Sequence, residues 1–145
     1  MFDTDGALPP SDILTTLARA DAARLKALAE DILPRLGDPQ VLKSGTGLVM
    51  LPLRDTVQGV AFHLGEVLVA EAQIRLPGGA EGYGMVTGHD TERAMAMALL
   101  DAALTAGIAA DRIRAFVMAE AATQQAEDEA TLRRIEATRV DMETF

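Results

Sequence analysis

The sequence predicts an α+β domain with N-terminal helices, a four-stranded antiparallel meander and C-terminal helices. Three observations carry that expectation. Apolar residues recur at helical spacing before residue 36 and again after residue 90. From residue 40 the texture becomes β-branched and alternating. The turns between the alternating runs are too short for the crossover that a parallel pair requires, so consecutive strands must be antiparallel.

The elements follow in chain order. Pro9, Pro10, Ser11 and Asp12 close an N-terminal arm, residues 1–10, expected to be flexible, and supply helix caps. Ile13, Leu14, Leu17, Leu25, Leu28 and Ile32 then mark one or two helices between 11 and 36, which Pro34 and Gly37 end. Asp21 is suited to cap the second of them. The runs TGLVMLPL, QGVAFHL, EVLVAEAQIRL and EGYGMVTG give the four strands. In the third, Leu68, Ala70, Ala72, Ile74 and Leu76 share a core face, while Glu71, Gln73 and Arg75 share the other with Val67 and Val69. Leu64-Gly65-Glu66-Val67 suits a type II′ hairpin turn, and Pro77-Gly78-Gly79 turns the chain again.

Asp90 or Thr91 caps the next helix, whose stripe of Met97, Leu100 and Leu104 stops at Gly107. A further helix over roughly 111–138 turns polar after residue 123, with Glu129 and Arg133 paired at i,i+4. Leu132 and Ile135 are its only large apolar residues there, so this helix is expected to lean on a partner chain.

A chain of 145 residues, 49% hydrophobic and 24% charged, is sized for one folded domain. With one tyrosine, four phenylalanines and no tryptophan, the core must come from Leu, Ile, Val, Met and Ala. Thirteen basic residues against 22 acidic ones leave a net charge of -9, the wrong sign for a nucleic-acid partner. Zero cysteines exclude disulfides, thiol nucleophiles and iron-sulfur ligation. With no apolar run of membrane-spanning length and no basic leader at the start, the expectation is a cytoplasmic protein with no membrane contact.

The stretch EGYGMVTGHD poses the main functional question. As a phosphate cradle it lacks the Lys-Ser or Lys-Thr of a Walker loop. Gly82, Gly84 and Gly88 are spaced GxGxxxG, which also departs from the dinucleotide fingerprint. The competing reading is a glycine-bulged strand leading into a capped helix. Gly82, Tyr83, Gly84, Gly88, His89, Asp90 and Arg93 are therefore candidates for ligand or partner contact, because strand glycines admit a close neighbour and a helix start can receive an anion. His63 and His89, the only histidines, are not at metal-ligand spacing. Glu127, Asp128 and Glu129 fit a solvated charge run, and the seven methionines fit core filling. No catalytic residue and no metal site is assigned.

The segments TGLVMLPLR, FHLGEVLVAEAQIRL, GYGMVTGHD, ALLDAAL and ATRVDMETF, in this order and spacing, resemble the G-subunit (PhnG) family of the bacterial carbon-phosphorus lyase core complex. The resemblance runs from about residue 12 to the C-terminus, making the chain a single PhnG-like domain. It implies an accessory subunit acting with the H, I, J and L proteins, most tightly with I. In that machinery a phosphonate displaces adenine from ATP to give a ribose 1-phosphonate 5-triphosphate, with the chemistry carried by the partner I subunit. ATP would be a substrate of the complex and no cofactor would belong to this chain. The chain departs from the family pattern at His89, where Arg is expected, and at Met95, where Glu is common. The alternatives from other classes are a free-standing small-ligand or nucleotide-binding domain and a homodimeric scaffold, and a homodimer of the isolated chain is open.

The C-terminal segment 137–145 mixes Arg139 and Asp141 with Val140, Met142 and Phe145. If extended, it would place Val140 and Met142 on one face. Large apolar side chains at a terminus call for a surface to dock on, so this segment is expected to be a partner-docking tail, oriented by Arg139 and Asp141.

Overall fold

A computed structural model of the chain describes residues 10–53 and 63–143. Two short helices open it, α1 (Pro10–Arg19) and α2 (Ala22–Ile32), followed by a single 3-10 turn at Leu33–Leu36. Asp21 caps α2 by accepting from the Arg24 N–H at 2.9 Å, so the break between the helices falls where the sequence placed it. Three strands follow, β1 (Gln40–Leu53), β2 (His63–Arg75) and β3 (Glu81–Thr87), in antiparallel order β1-β2-β3. Two helices complete the chain, α3 (Thr91–Ala106) and α4 (Ala110–Glu143).

The expected fourth strand is a correction. Of the run QGVAFHL, residues 58–62 lie outside the described residues, while His63 and Leu64 belong to β2. The expected turn at Leu64–Val67 is strand: Gly65 pairs with Leu51 and Glu66 with Met50. A glycine signals a turn only through local preference, and here the continuous ladder with β1 outweighs it.

Helix α3 lies on β3 and β2, burying Ala94, Ala98, Ala102 and Leu100 against Ala70, Ala72, Ile74 and Val86. The seating is unusually close. A Cβ on Gly82 would land on the Ala98 carbonyl and within 2.5 Å of the Ala102 nitrogen. One on Gly84 would meet the Ala94 carbonyl and stand 3.0 Å from the Ala98 nitrogen. Both glycines let helix backbone rest on strand backbone. Helix α3 ends at Gly107, which takes the left-handed conformation at φ 77° as its C-cap.

Helix α4 docks through only its first half. Ile113 and Val117 enter the core, after which the inward positions turn polar. Buried Glu120 accepts from the Asp21 N–H at 3.2 Å and from two nitrogens of Arg24 at 3.1 and 2.9 Å. Gln124 donates to the Thr16 carbonyl at 3.0 Å, and Asp128 pairs with Arg19 at 3.0 Å. From Thr131 to Arg139 every residue is exposed, Leu132 and Ile135 included. At 1.5 Å per residue the helix is about 51 Å long, so its second half stands beyond the body.

The strands also outrun the body. β3 pairs with β2 only over Val69–Arg75, leaving 48–53 and 63–68 as a two-stranded arm. Leu68, expected on the core face, does share the face of Ala70 and Ala72, but it is 40% exposed because α3 stops short of it. Leu48, its cross-strand partner, is exposed as well.

The helix seating has a direct test. Gly84→Ala is expected to cost about 1–3 kcal/mol in urea unfolding, since helix backbone rather than a movable side chain meets the new methyl. Gly47→Ala, where an added Cβ meets nothing within 4 Å, is expected to leave the midpoint nearly unchanged.

Candidate functional site

The seven candidate residues of the 82–93 stretch fall in three places. Gly82 and Gly84 lie beneath α3, where its backbone fills the space a ligand would need. Gly88, at φ 99°, turns the chain and donates its N–H to the Leu68 carbonyl at 2.8 Å. His89 is exposed, and its carbonyl accepts from the Thr91 N–H at 3.0 Å. Asp90 is the N-cap of α3, accepting from the Arg93 N–H at 3.0 Å, and its other oxygen takes Lys26 Nζ at 3.0 Å. The Arg93 N–H, and then Lys26, hold this carboxyl below its ordinary range.

Arg93 points away from any anion site at that helix start. Its guanidinium donates to the carbonyls of Ala18 at 2.6 Å and Ala20 at 3.0 Å, closing the end of α1. Its Nε is buried without a partner. The helix start is therefore occupied by its own Asp90 carboxylate, and its arginine serves α1. Met95, half-buried, lines a shallow groove between α2 and α3 with Lys26, Ala29, Leu33 and Leu99.

Tyr83 is on the other face of the sheet, the one without helices. There its hydroxyl donates to Glu71 Oε2 at 2.5 Å, while Lys43 Nζ reaches Glu71 Oε1 at 2.8 Å. Lys43 and then Tyr83 hold the Glu71 carboxyl below its usual value. Burial, followed by the bond to Glu71, pushes the Tyr83 phenol up to about 12, so it stays a donor near neutral pH. Beside this network, a hollow of about 340 Å³ opens over Gly45 and Gly47, walled by Lys43, Val49, Val69 and Met85. Nothing stands within 4 Å of where a Cβ on either glycine would be.

The two sheet edges differ. On β3 the outward Tyr83 N–H is taken by Asp101 Oδ2 of α3 at 2.9 Å. Burial pushes the Asp101 carboxyl up, and the Tyr83 N–H pulls it partly back. On β1, among the described residues, no strand or helix pairs the outer edge. Its sequence QVLKSGTGLVMLPL has one charged residue, Lys43, already engaged by Glu71. Sequence reasoning passed over this edge; the signal was a long apolar strand almost without charge.

The tail falls mostly beyond description. The backbone is helical through Glu143, so positions 140 and 142 diverge by about 200° instead of sharing a face. Arg139 is exposed on that helix, whereas the side chains of Val140, Asp141 and Met142, and all of Phe145, lie outside the described residues. Among the described residues no three His, Asp or Glu side chains gather as a metal site would require. No described helix is long and apolar enough to cross a membrane.

Comparison with known proteins decides the family. The sequence profile described as "Phosphonate metabolism protein PhnG" matches residues 11–145. The chain belongs to this family. One curated relative, the "Alpha-D-ribose 1-methylphosphonate 5-triphosphate synthase subunit PhnG" of Rhizobium meliloti (strain 1021), is 32% identical over 143 residues, covering 99% of this chain and 92% of the relative. A second, the "Putative C-P lyase subunit protein HtxH" of Stutzerimonas stutzeri, is 34% identical over 113 residues. That match takes in 70% of this chain but spans only 30% of HtxH. Both names describe subunits.

The cap at the start of α3 gives a pH signature. Asp90→Ala is expected to cost about 0.5–2 kcal/mol in chemical denaturation at pH 7. Because the native carboxyl titrates below its unfolded value near 3.9, that difference persists above about pH 4 and fades as pH falls through the native pKa. A difference between parent and variant that is constant from pH 7 down to pH 2 would assign the loss to packing instead.

Proposed function

We propose that this protein is an accessory, complex-forming subunit of an α-D-ribose 1-methylphosphonate 5-triphosphate synthase in phosphonate catabolism. Its partners are the H, I, J and L subunits, with I the tightest, and the complex works in the cytoplasm. The observation that carries the reading is the pair of projections from a small body. The β1–β2 arm exposes Leu48, Met50 and Leu68, and the second half of α4 exposes Leu132 and Ile135. Apolar side chains held outward on regular elements fit burial in an assembly.

The same reading accounts for the chemistry. Burial and then the bond to Glu71 keep the Tyr83 hydroxyl protonated near neutral pH, which makes it a poor nucleophile. The phosphonate and ATP would be handled by the I subunit, in which case this chain contributes surface and position. The nucleotide-cradle alternative loses its main support because Gly82 and Gly84 are filled by α3.

The purified chain alone is expected to release no adenine from ATP with methylphosphonate, while the complex with H, I, J and L turns over and fails when this chain is omitted. Adenine release by the clean chain, followed by chromatography, would overturn the reading.

The tail carries its own expectation. Removing residues 137–145 is expected to leave the thermal melt of the isolated domain nearly unchanged, since residues 131–139 pack on nothing described, and to weaken co-purification with I. Unfolding of the truncated chain, or undiminished pull-down, would remove the docking role from Arg139 and its neighbours.

A further inference from the structure

We infer that the open edge of β1 accepts an extended segment of another subunit, which pairs along Ser44–Met50 and lays a large apolar side chain into the hollow over Gly45 and Gly47. This deepens the subunit reading and rests on it. The backbone geometry decides which groups are free. Because the Tyr83 N–H turns outward to Asp101, Tyr83 and Gln73 form a non-hydrogen-bonded pair, and Gln73 turns its backbone groups to Lys43. The alternation then directs Gly45, Gly47 and Val49 toward β2. Ser44, Thr46, Leu48 and Met50 direct their N–H and C=O groups to the open edge. The Gly88 N–H bond to the Leu68 carbonyl agrees, since Leu68 pairs with Leu48 and faces β3 with its backbone.

Three features fit an apolar strand rather than solvent. Proteins guard long edges with charge, proline or a cover, and β1 over 40–51 has only the neutralised Lys43. Four of the nine exposed large apolar side chains among the described residues, Val41, Leu42, Leu48 and Met50, stand on this one strand, which makes it the most apolar open element. The hollow beside the edge carries no unpaired charge: its two charged residues, Lys43 and Glu71, satisfy each other, and Leu48, Val49, Val69 and Met85 line it together with the uncharged Ser44 and Thr46. An uncharged side chain fits it, and a strand glycine is best covered by a large ring or branched side chain from the adjoining strand.

A second copy of this chain fits the hollow less well. Antiparallel self-pairing centred on Thr46 sets Gly45 opposite Gly47, and the register centred on Gly47, which overlaps equally, brings only Val49 opposite Gly45. β1 has no aromatic residue, and the chain as a whole is only 3% aromatic. Relatives named as subunits point instead to a strand of a different polypeptide, which can offer a larger side chain.

The test uses the full chain co-expressed with the H, I and J subunits of its own genome. Thr46→Pro removes an outward N–H without touching the β1–β2 ladder, and Gly47→Leu fills the hollow where nothing obstructs a side chain. Both are expected to melt close to the parent as isolated chains and to bind the other subunits about tenfold or more weakly. Amide exchange of Ser44–Met50 is expected to slow on assembly of the parental complex. If the parent assembles and both variants assemble equally well, or if those amides exchange alike free and bound, the edge inference is overturned while the subunit reading stands. If the isolated parent is already a dimer with those amides protected, the second copy is the occupant and the inference fails. If the parent does not assemble at all, the subunit reading and this inference fall together.

Discussion

The contact of α3 backbone with β3 backbone at Gly82 and Gly84 sets the position of nearly everything else. Without Cβ atoms on the strand, and with Ala94, Ala98 and Ala102 on the helix, the two elements approach until their main chains touch. That closeness brings the helix start to the end of β3. There Asp90 meets Lys26 of α2, and Arg93 reaches the carbonyls that end α1. The same placement limits coverage: α3 spans β3 and the adjoining part of β2, so much of β1 and the far end of β2 remain outside the helical layer.

What the sequence allowed one to read was mostly local. Asp21, Asp90 and Gly107 sit at helix ends because their side-chain or backbone chemistry acts over three or four residues. Gly65 shows the limit, since its turn preference is also local but a ladder with residues far along the chain overrides it. Gly82 and Gly84 were ambiguous for a related reason. A strand glycine announces close approach without saying whether a ligand, a partner or the protein's own helix approaches. The alanines at 94, 98 and 102, four apart, were the sign that the helix does. Arg93 closing α1 and Asp101 guarding Tyr83 join distant elements, and no spacing rule reveals them.

The candidate surface separates polar satisfaction from apolar exposure. Lys43, Glu71 and Tyr83 complete one another's hydrogen bonds, so covering them requires no new partner for a charge. Five of the nine exposed large apolar side chains among the described residues, Leu48, Met50 and Leu68 on the arm and Leu132 and Ile135 on α4, are on two separate projections. Relatives named as subunits suit such an arrangement, in which projections carry much of the exposed apolar area.

The guarded β3 edge has a consequence for assembly as a whole. With the Asp101 carboxylate seated on the Tyr83 N–H, a strand added at β3 would have to displace that bond, whereas the described residues put no such obstacle on β1. Head-to-tail edge pairing, which would run on into a ribbon of indefinite length, is therefore disfavoured at one of its two sockets.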